Sequence, residues 1–150
     1  MTGFVVEEVA PASLHDLRRR VLREDRPDAN VVDPRDDEAT SLHLAGRLDG
    51  RVVTSASYFL TPPPDQAGSL GYQMRYVATD AQAQGRGYAR RVLARGEELL
   101  AQRGVEVIWA NARDSALGFY RREGWHLVAR SEHVSLESQL PHTRIFKVLG

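Results

Sequence analysis

The first chemical signal is a junction between an apolar run and a long helix. Val77-Ala78-Thr79 closes the run, Gln84-Gly85-Arg86-Gly87-Tyr88 follows, and Ala89, Val92, Leu93, Gly96, Leu99 and Leu100 then recur at helical spacing. The first backbone N–H groups of a helix have no partner within it, and the helix dipole favours negative charge there. Glycines let an anion approach that backbone closely. Gln84 to Tyr88 are therefore predicted to cradle a phosphate or pyrophosphate. Arg86, Arg90, Arg91 and Arg95 bear on this. Cations at a helix start oppose the dipole, and Arg86/Arg90 and Arg91/Arg95 are like charges four residues apart. Such an arrangement becomes sensible if a polyanion docks there. The plain alternative is a solvated basic face, because arginine is a good helix former. Two common anion loops do not fit. A Walker A loop needs Gly-Lys followed by Ser or Thr, which this turn lacks. A dinucleotide fingerprint needs a third glycine where Arg90 stands, and an acid at the end of the next strand, whereas Glu106 lies at its start.

Composition narrows the classes further. The chain has 150 residues, with 20 basic and 20 acidic side chains, so no basic excess favours a nucleic-acid partner. It has no cysteine, which excludes a disulfide framework, a thiolate zinc site and a thiol nucleophile. No metal site is expected. No apolar run approaches the ~20 residues of a membrane span. The stretch from Met1 to Leu17 has no basic region followed by a long apolar core, so no signal peptide is read there. The expectation is one cytoplasmic domain over residues 1–150, with no membrane partner.

The elements that must position the glycine turn are read from periodicity. Phe4 to Val9 suits a first strand. Ser13 and Asp16 are placed to cap a helix carrying Leu14, Leu17, Val21 and Leu22, which ends before Pro27. Leu42 to Leu48 and Arg51 to Leu60 read as strands joined by Asp49-Gly50, a pair suited to a type I′ turn. Ser69 to Ala78 reads as a central strand and Val105 to Ala110 as a buried one. Asp114 or Ser115 would cap a short helix carrying Leu117, Phe119 and Tyr120. Trp125 to Ala129 and Arg144 to Leu149 complete the sheet. Arg26 to Asp37 and Thr61 to Gly68 are proline-bearing loops. The order β-α-β-β-β-α-β-α-β-β implies an α/β domain with a mixed sheet and helices on both faces.

Gln82-Ala83-Gln84-Gly85-Arg86-Gly87 resembles the Gln/Arg-x-x-Gly-x-Gly/Ala signature of the GNAT superfamily of acyl-CoA-dependent N-acetyltransferases. Thr79 stands where that family often has proline. The segment from Asn111 to Trp125 is similar to the family's second block, with its Ala-x-x-Phe-Tyr-x-x-x-Gly-aromatic pattern. The two blocks cover about half the chain. The resemblance implies a mostly antiparallel sheet of about six to seven strands, splayed between the fourth and fifth. It implies acetyl-CoA as acyl donor, an amine acceptor, and a homodimer as one assembly open to the chain. The pantetheine arm would meet the backbone of Val77, Ala78 and Thr79. Gln82 belongs to the signature, and the N–H groups of Gln84, Gly85, Arg86, Gly87, Tyr88 and Ala89 would hold the pyrophosphate. Arg86 or Arg90 would reach the adenosine phosphate. Asn111, read as ending the fifth strand, would bond the cofactor arm, and Phe119 would flank it.

In the family, the tyrosine matching Tyr120 stabilises or protonates the departing thiolate; otherwise Tyr120 is core packing beside Phe119. The amine must also lose a proton. Glu38, His43 and His142 are the candidate bases, with His142 preferred. Tyr76 or Arg75 would face the acceptor, but strand alternation lets at most one point in. A backbone N–H near Val77 would serve the developing oxyanion. Asp33, Asp36, Asp37 and Glu38 are read as a solvated loop, or else as attracting a cationic amine. A non-catalytic acetyl-CoA-binding sensor is the alternative function.

Overall fold

The computed structural model describes residues 3–66 and 68–150, so Met1, Thr2 and Ala67 of the segments read above lie outside it. Its strands are β1 (Phe4–Glu8), β2 (Leu42–Leu48), β3 (Arg51–Leu60), β4 (Gly71–Thr79), β5 (Val107–Arg113), β6 (His126–Leu127), β7 (His133–Val134) and β8 (Pro141–Val148). They form one eight-stranded sheet ordered β1-β2-β3-β4-β5-β8-β6, with β7 paired to β8. All neighbours are antiparallel except β4 and β5. The sheet exceeds the expected strand count because β7 is only two residues long, too short for periodicity to register, while the strand expected over Trp125 to Ala129 shortens to β6. The last strand also starts earlier than expected, because His142 and Thr143 pair with Arg113 and Ala112.

Helix α2 (Tyr88–Gln102) packs on one face. A Cβ at Gly96 would sit 2.3 Å from the Tyr58 hydroxyl, so glycine is what lets α2 approach β3. The opposite face takes a continuous helical run: a 3-10 turn Pro11–Leu14, α1 (His15–Leu17) and a π turn Arg18–Leu22. Successive residues Ser57 and Tyr58 meet these two layers in turn, as strand alternation requires. The Ser13–Asp16 cap is not formed. Proline opens the run at Pro11, and Asp16 instead binds Arg19 and Arg20, each at 2.8 Å. α3 (Leu117–Arg122) also lacks a side-chain cap, because Asp114 accepts the Thr143 hydroxyl at 2.7 Å. The Asp49-Gly50 turn holds: both residues have positive φ, 50° and 87°.

The parallel β4/β5 pair is brief. Gly71, Tyr72 and Gln73 pair with Val107, Ile108 and Trp109, and then the strands part. Beyond that point β4 has β3 on one side only. β4 also carries one extra residue: Ser55 faces Ala78 and Ser57 faces Arg75, with Tyr76 at a φ of 58°. This β-bulge bends the strand where the gap opens.

Of the acids expected to be solvated, Asp37 and Glu38 are exposed, but Asp33 and Asp36 are buried. Arg18, 1% exposed, grips Asp36 with both Nη atoms at 2.9 and 3.1 Å and donates to the Ser57 hydroxyl at 2.9 Å. His43 is part of this knot. Its Nε2 meets the Asp36 carbonyl at 2.9 Å; a carbonyl only accepts, so that nitrogen carries the proton and Nδ1 accepts from Ser57. His43 is thereby a buried structural residue, not a base. Burial alone would raise the Asp36 carboxyl, but the Arg18 guanidinium and the Asp33 N–H outweigh it and hold it below the usual range. At Asp33, Arg35 likewise overcomes burial and brings the carboxyl to about 2.

Removing one charge of the buried pair leaves the other unpaired. Asp36→Asn is expected to cost about 3–5 kcal/mol in urea unfolding. Both carboxyls are depressed by folding. Their contribution is therefore complete above about pH 4, and stability should decline as pH falls toward 2, through the folded value of Asp33.

Candidate functional site

A cleft of about 760 Å³ opens where β4 and β5 part. Met74 to Thr79 form one wall and Ala110 to Arg113 the other. Phe119 and Tyr120 of α3 enter from one side, and Val21 to Arg23 come from the π turn and the residue after it. His133 to Ser138 and His142 of the β7–β8 hairpin close the far end.

The bulge decides what β4 presents. Arg75 Nη1 and the Tyr76 hydroxyl both reach Asp33, at 3.3 and 3.0 Å, so these consecutive side chains share one face, which regular strand alternation does not allow. The expectation that only one of Arg75 and Tyr76 points in is therefore overturned, and the left-handed Tyr76 is the reason. Such a conformation costs about 1–3 kcal/mol and persists only where the surroundings enforce it. Here the Tyr76 hydroxyl donates to Asp33 at 3.0 Å. Its ring also lies 4.1 Å from the Arg18 guanidinium and 4.5 Å from that of Arg75. Burial is the main cause lifting the Tyr76 phenol to about 12, so it stays a donor.

At the turn, Gly85 and Gly87 adopt φ of 78° and 79°, with Gly87 the N-cap of α2. A Cβ built on either would meet no atom within 4 Å, so the space beside the turn is open. Tyr88 is buried and stacks on Phe4 with ring centroids 4.1 Å apart, which leaves only its backbone N–H for a ligand. Arg90 pairs with Glu123 at 3.2 Å, Arg91 lies over Phe4, and Arg95 pairs with Glu98. Among the described residues Arg86 has no carboxylate partner, and it is exposed.

The other residues singled out in the sequence divide. Val77, Ala78, Thr79, Gln84, Ala89, Asn111 and Phe119 line the cleft. Gln84 Nε2 already donates to the Thr79 carbonyl at 3.2 Å, which leaves that carbonyl less free than expected. Asn111 does not end its strand, since β5 runs on to Arg113 and Asn111 pairs with Arg144. Gln82 is exposed in a 3-10 turn away from the cleft, and Glu38 is exposed and also outside it.

Tyr120 is 7% exposed and lines the cleft. Its ring meets Phe119 and Trp125 edge-on, and its hydroxyl has no protein partner among the described residues. Burial pushes its phenol above the ordinary value. His142 Nδ1 lies 2.9 Å from the Leu140 carbonyl, which puts a proton on Nδ1, so in the neutral ring the lone pair is on Nε2. His133, not anticipated, has the same arrangement with the Ser131 carbonyl at 2.8 Å. The two rings are 5.9 Å apart because β7 pairs His133 with His142. Among the described residues no cluster of acids and histidines suits a metal, and no helix is long and apolar enough to cross a membrane.

Comparison with known proteins gives a consistent family. The model of the Acetyltransferase (GNAT) family matches residues 12–125. A protein of Bacillus subtilis (strain 168), named "Uncharacterized N-acetyltransferase YitI", is 26% identical over 120 residues, which is 80% of each chain. The crystal structure of an aminoglycoside 6′-N-acetyltransferase complexed with coenzyme A superposes with a TM-score of 0.76 at 13% identity, over 97% of both chains. That of an acyl-CoA N-acyltransferase from Pseudomonas aeruginosa gives 0.74 at 19% identity, over 98% of this chain and 99% of that one.

If Asp33 holds the bulge, Tyr76→Phe should lose about 1–3 kcal/mol in equilibrium unfolding. A change too small to measure would mean that the backbone sets the bulge unaided.

Proposed function

The chain belongs to the GNAT acetyltransferase family, and on that premise we propose that it transfers an acetyl group from acetyl-CoA to a primary amine, by direct attack in a ternary complex. The observation that carries this reading is the cleft between the parted strands, with the open glycine turn at its helix and the unpartnered Tyr120 hydroxyl within it.

The residues fit an acyl-CoA. The free edge of β4 from Met74 to Thr79 offers backbone groups to the pantetheine amides. The N–H groups from Gly85 to Ala89 hold the pyrophosphate, that of Gln84 being turned to the Ala81 carbonyl at 3.5 Å, and Gly85 and Gly87 keep side chains out of its space. Arg86, unpaired and exposed, takes the adenosine phosphate in preference to Arg90, which Glu123 already engages. Asn111 and Phe119 border the arm from the β5 side. The donor supplies an activated acetyl carbon and a thiolate leaving group.

The amine nitrogen bonds to that carbon as the carbon–sulfur bond breaks. His142 Nε2, which holds the lone pair of the neutral ring, accepts the proton that the amine gives up. A backbone N–H near Val77 bonds the acetyl oxygen as charge develops. Tyr120 faces the thiolate. A thiol has an ordinary pKa near ~8.5 and a phenol near ~10, and burial raises Tyr120 further. Full proton transfer from the phenol is thus uphill, and the main contribution is a charge-assisted hydrogen bond to sulfur. With no cysteine in the chain, a thiol-linked acyl-enzyme is not open to it.

Tyr120→Phe should lower kcat by about 10²-fold or more while the KM for acetyl-CoA stays within about twofold. Equal losses in both would assign the residue to packing. His142→Ala should lower kcat/KM by about 10²-fold, with partial rescue by added imidazole; no rescue would remove it as the base. Coenzyme A binding without thiol release for any amine would favour the sensor reading.

A further inference from the structure

The acceptor end of the cleft is more basic than an amine-binding pocket needs. The lining of the whole cleft carries three arginines, Arg23, Arg75 and Arg113, against one carboxylate, Glu137, and Arg23 and Arg75 meet at this end through Glu137. An ammonium or its neutral amine gains nothing from that excess. Glu137 is itself informative. It lies in the turn joining β7 to β8 and reaches back across the cleft to both arginines. Its two oxygens accept from Arg75 Nη2 at 2.9 and 3.0 Å, and Oε2 accepts from Arg23 Nη2 at 2.6 Å.

Both arginines have an anchor besides Glu137. Arg23 Nη1 donates to the Leu22 carbonyl at 3.0 Å, and Arg75 Nη1 donates to the buried Asp33 at 3.3 Å. Each therefore aims its other Nη into the cleft from a fixed base. The Glu137 side chain, by contrast, is half-exposed, and its neighbour Leu136 is 92% exposed although it lines the cleft. The arginine pair is the more buried partner, and the carboxylate is carried on a solvent-facing turn.

We propose that Arg23 and Arg75 form a seat for the carboxylate of the acceptor, and that Glu137 occupies this seat when no acceptor is bound. This inference rests on the acyl-transfer reading and deepens it: the substrate is an amine that also bears a carboxylate. The anion neutralises the arginine pair, and its tether to the amine keeps the nitrogen within the cleft that His142 and Tyr120 also line. Removing the competing Glu137 strengthens acceptor binding; removing an arginine erases the preference for the anion.

The test titrates N-acetylglycine, N-acetyl-β-alanine and N-acetyl-γ-aminobutyrate, each against its amide, by calorimetry with and without coenzyme A. At least one acid should bind about tenfold tighter than its amide. Glu137→Gln should tighten that acid several-fold without changing the amide. Arg23→Gln should abolish the difference and Arg23→Lys should restore part of it, since the charge returns without the fork. The seat is overturned if no acid outbinds its amide, if Glu137→Gln leaves the acid unchanged, or if the preference survives Arg23→Gln. Failure of the acyl-transfer reading is separate: coenzyme A would not bind, or no amine would release thiol, while the acid–amide difference on the free protein would still decide the seat. Thiol release only with amines that lack a carboxylate would sink the seat alone.

Discussion

The site depends on one backbone event, the parting of β4 from β5 after Gln73 and Trp109. Two neighbouring parallel strands normally satisfy each other's N–H and C=O groups along their length. Here the ladder stops after three pairs, and the extra residue at Tyr76 turns the strand away from its former partner. The result is a strand edge inside the molecule, which a ligand with amide groups can complete. An edge of this kind is usually a liability, and here it is set inside a cleft, not on the outer rim of the sheet.

The bulge has a chain of causes that runs away from the cleft. Tyr76 is held by Asp33 and sandwiched by Arg18 and Arg75. Asp33 is held by Arg35, and Arg18 by Asp36 and Ser57. Ser57 lies on β3 two residues from Ser55, whose hydroxyl donates to the Tyr76 carbonyl at 3.1 Å. The loop that carries Asp33 and Asp36 is therefore structural. Its buried ion pairs specify where the strand kinks more than they add stability, since desolvation offsets much of their attraction.

Local signals were legible in the sequence. The Asp49-Gly50 turn and the glycine junction before α2 are set by residues within a few positions, and their φ angles agree with what glycine and aspartate permit. The β4/β5 splay and the helices on both faces followed from element order and resemblance. The rest depended on partners far apart in the chain. Nothing near Asp33 announces that Tyr76, 43 positions on, will bond it. His133 acquires meaning only when β7 sets it beside His142. Alternation failed at Arg75 and Tyr76 because a bulge leaves no mark on the apolar pattern that periodicity reads.

The most direct test of the central claim is residue-resolved. Amide resonances of the isotope-labelled protein are followed by NMR as coenzyme A is added. The account predicts that the amides from Gln84 to Ala89, and those of β4 beyond Gln73, shift together and saturate with one affinity. Saturable shifts confined to some other surface, with the glycine turn unmoved, would contradict it.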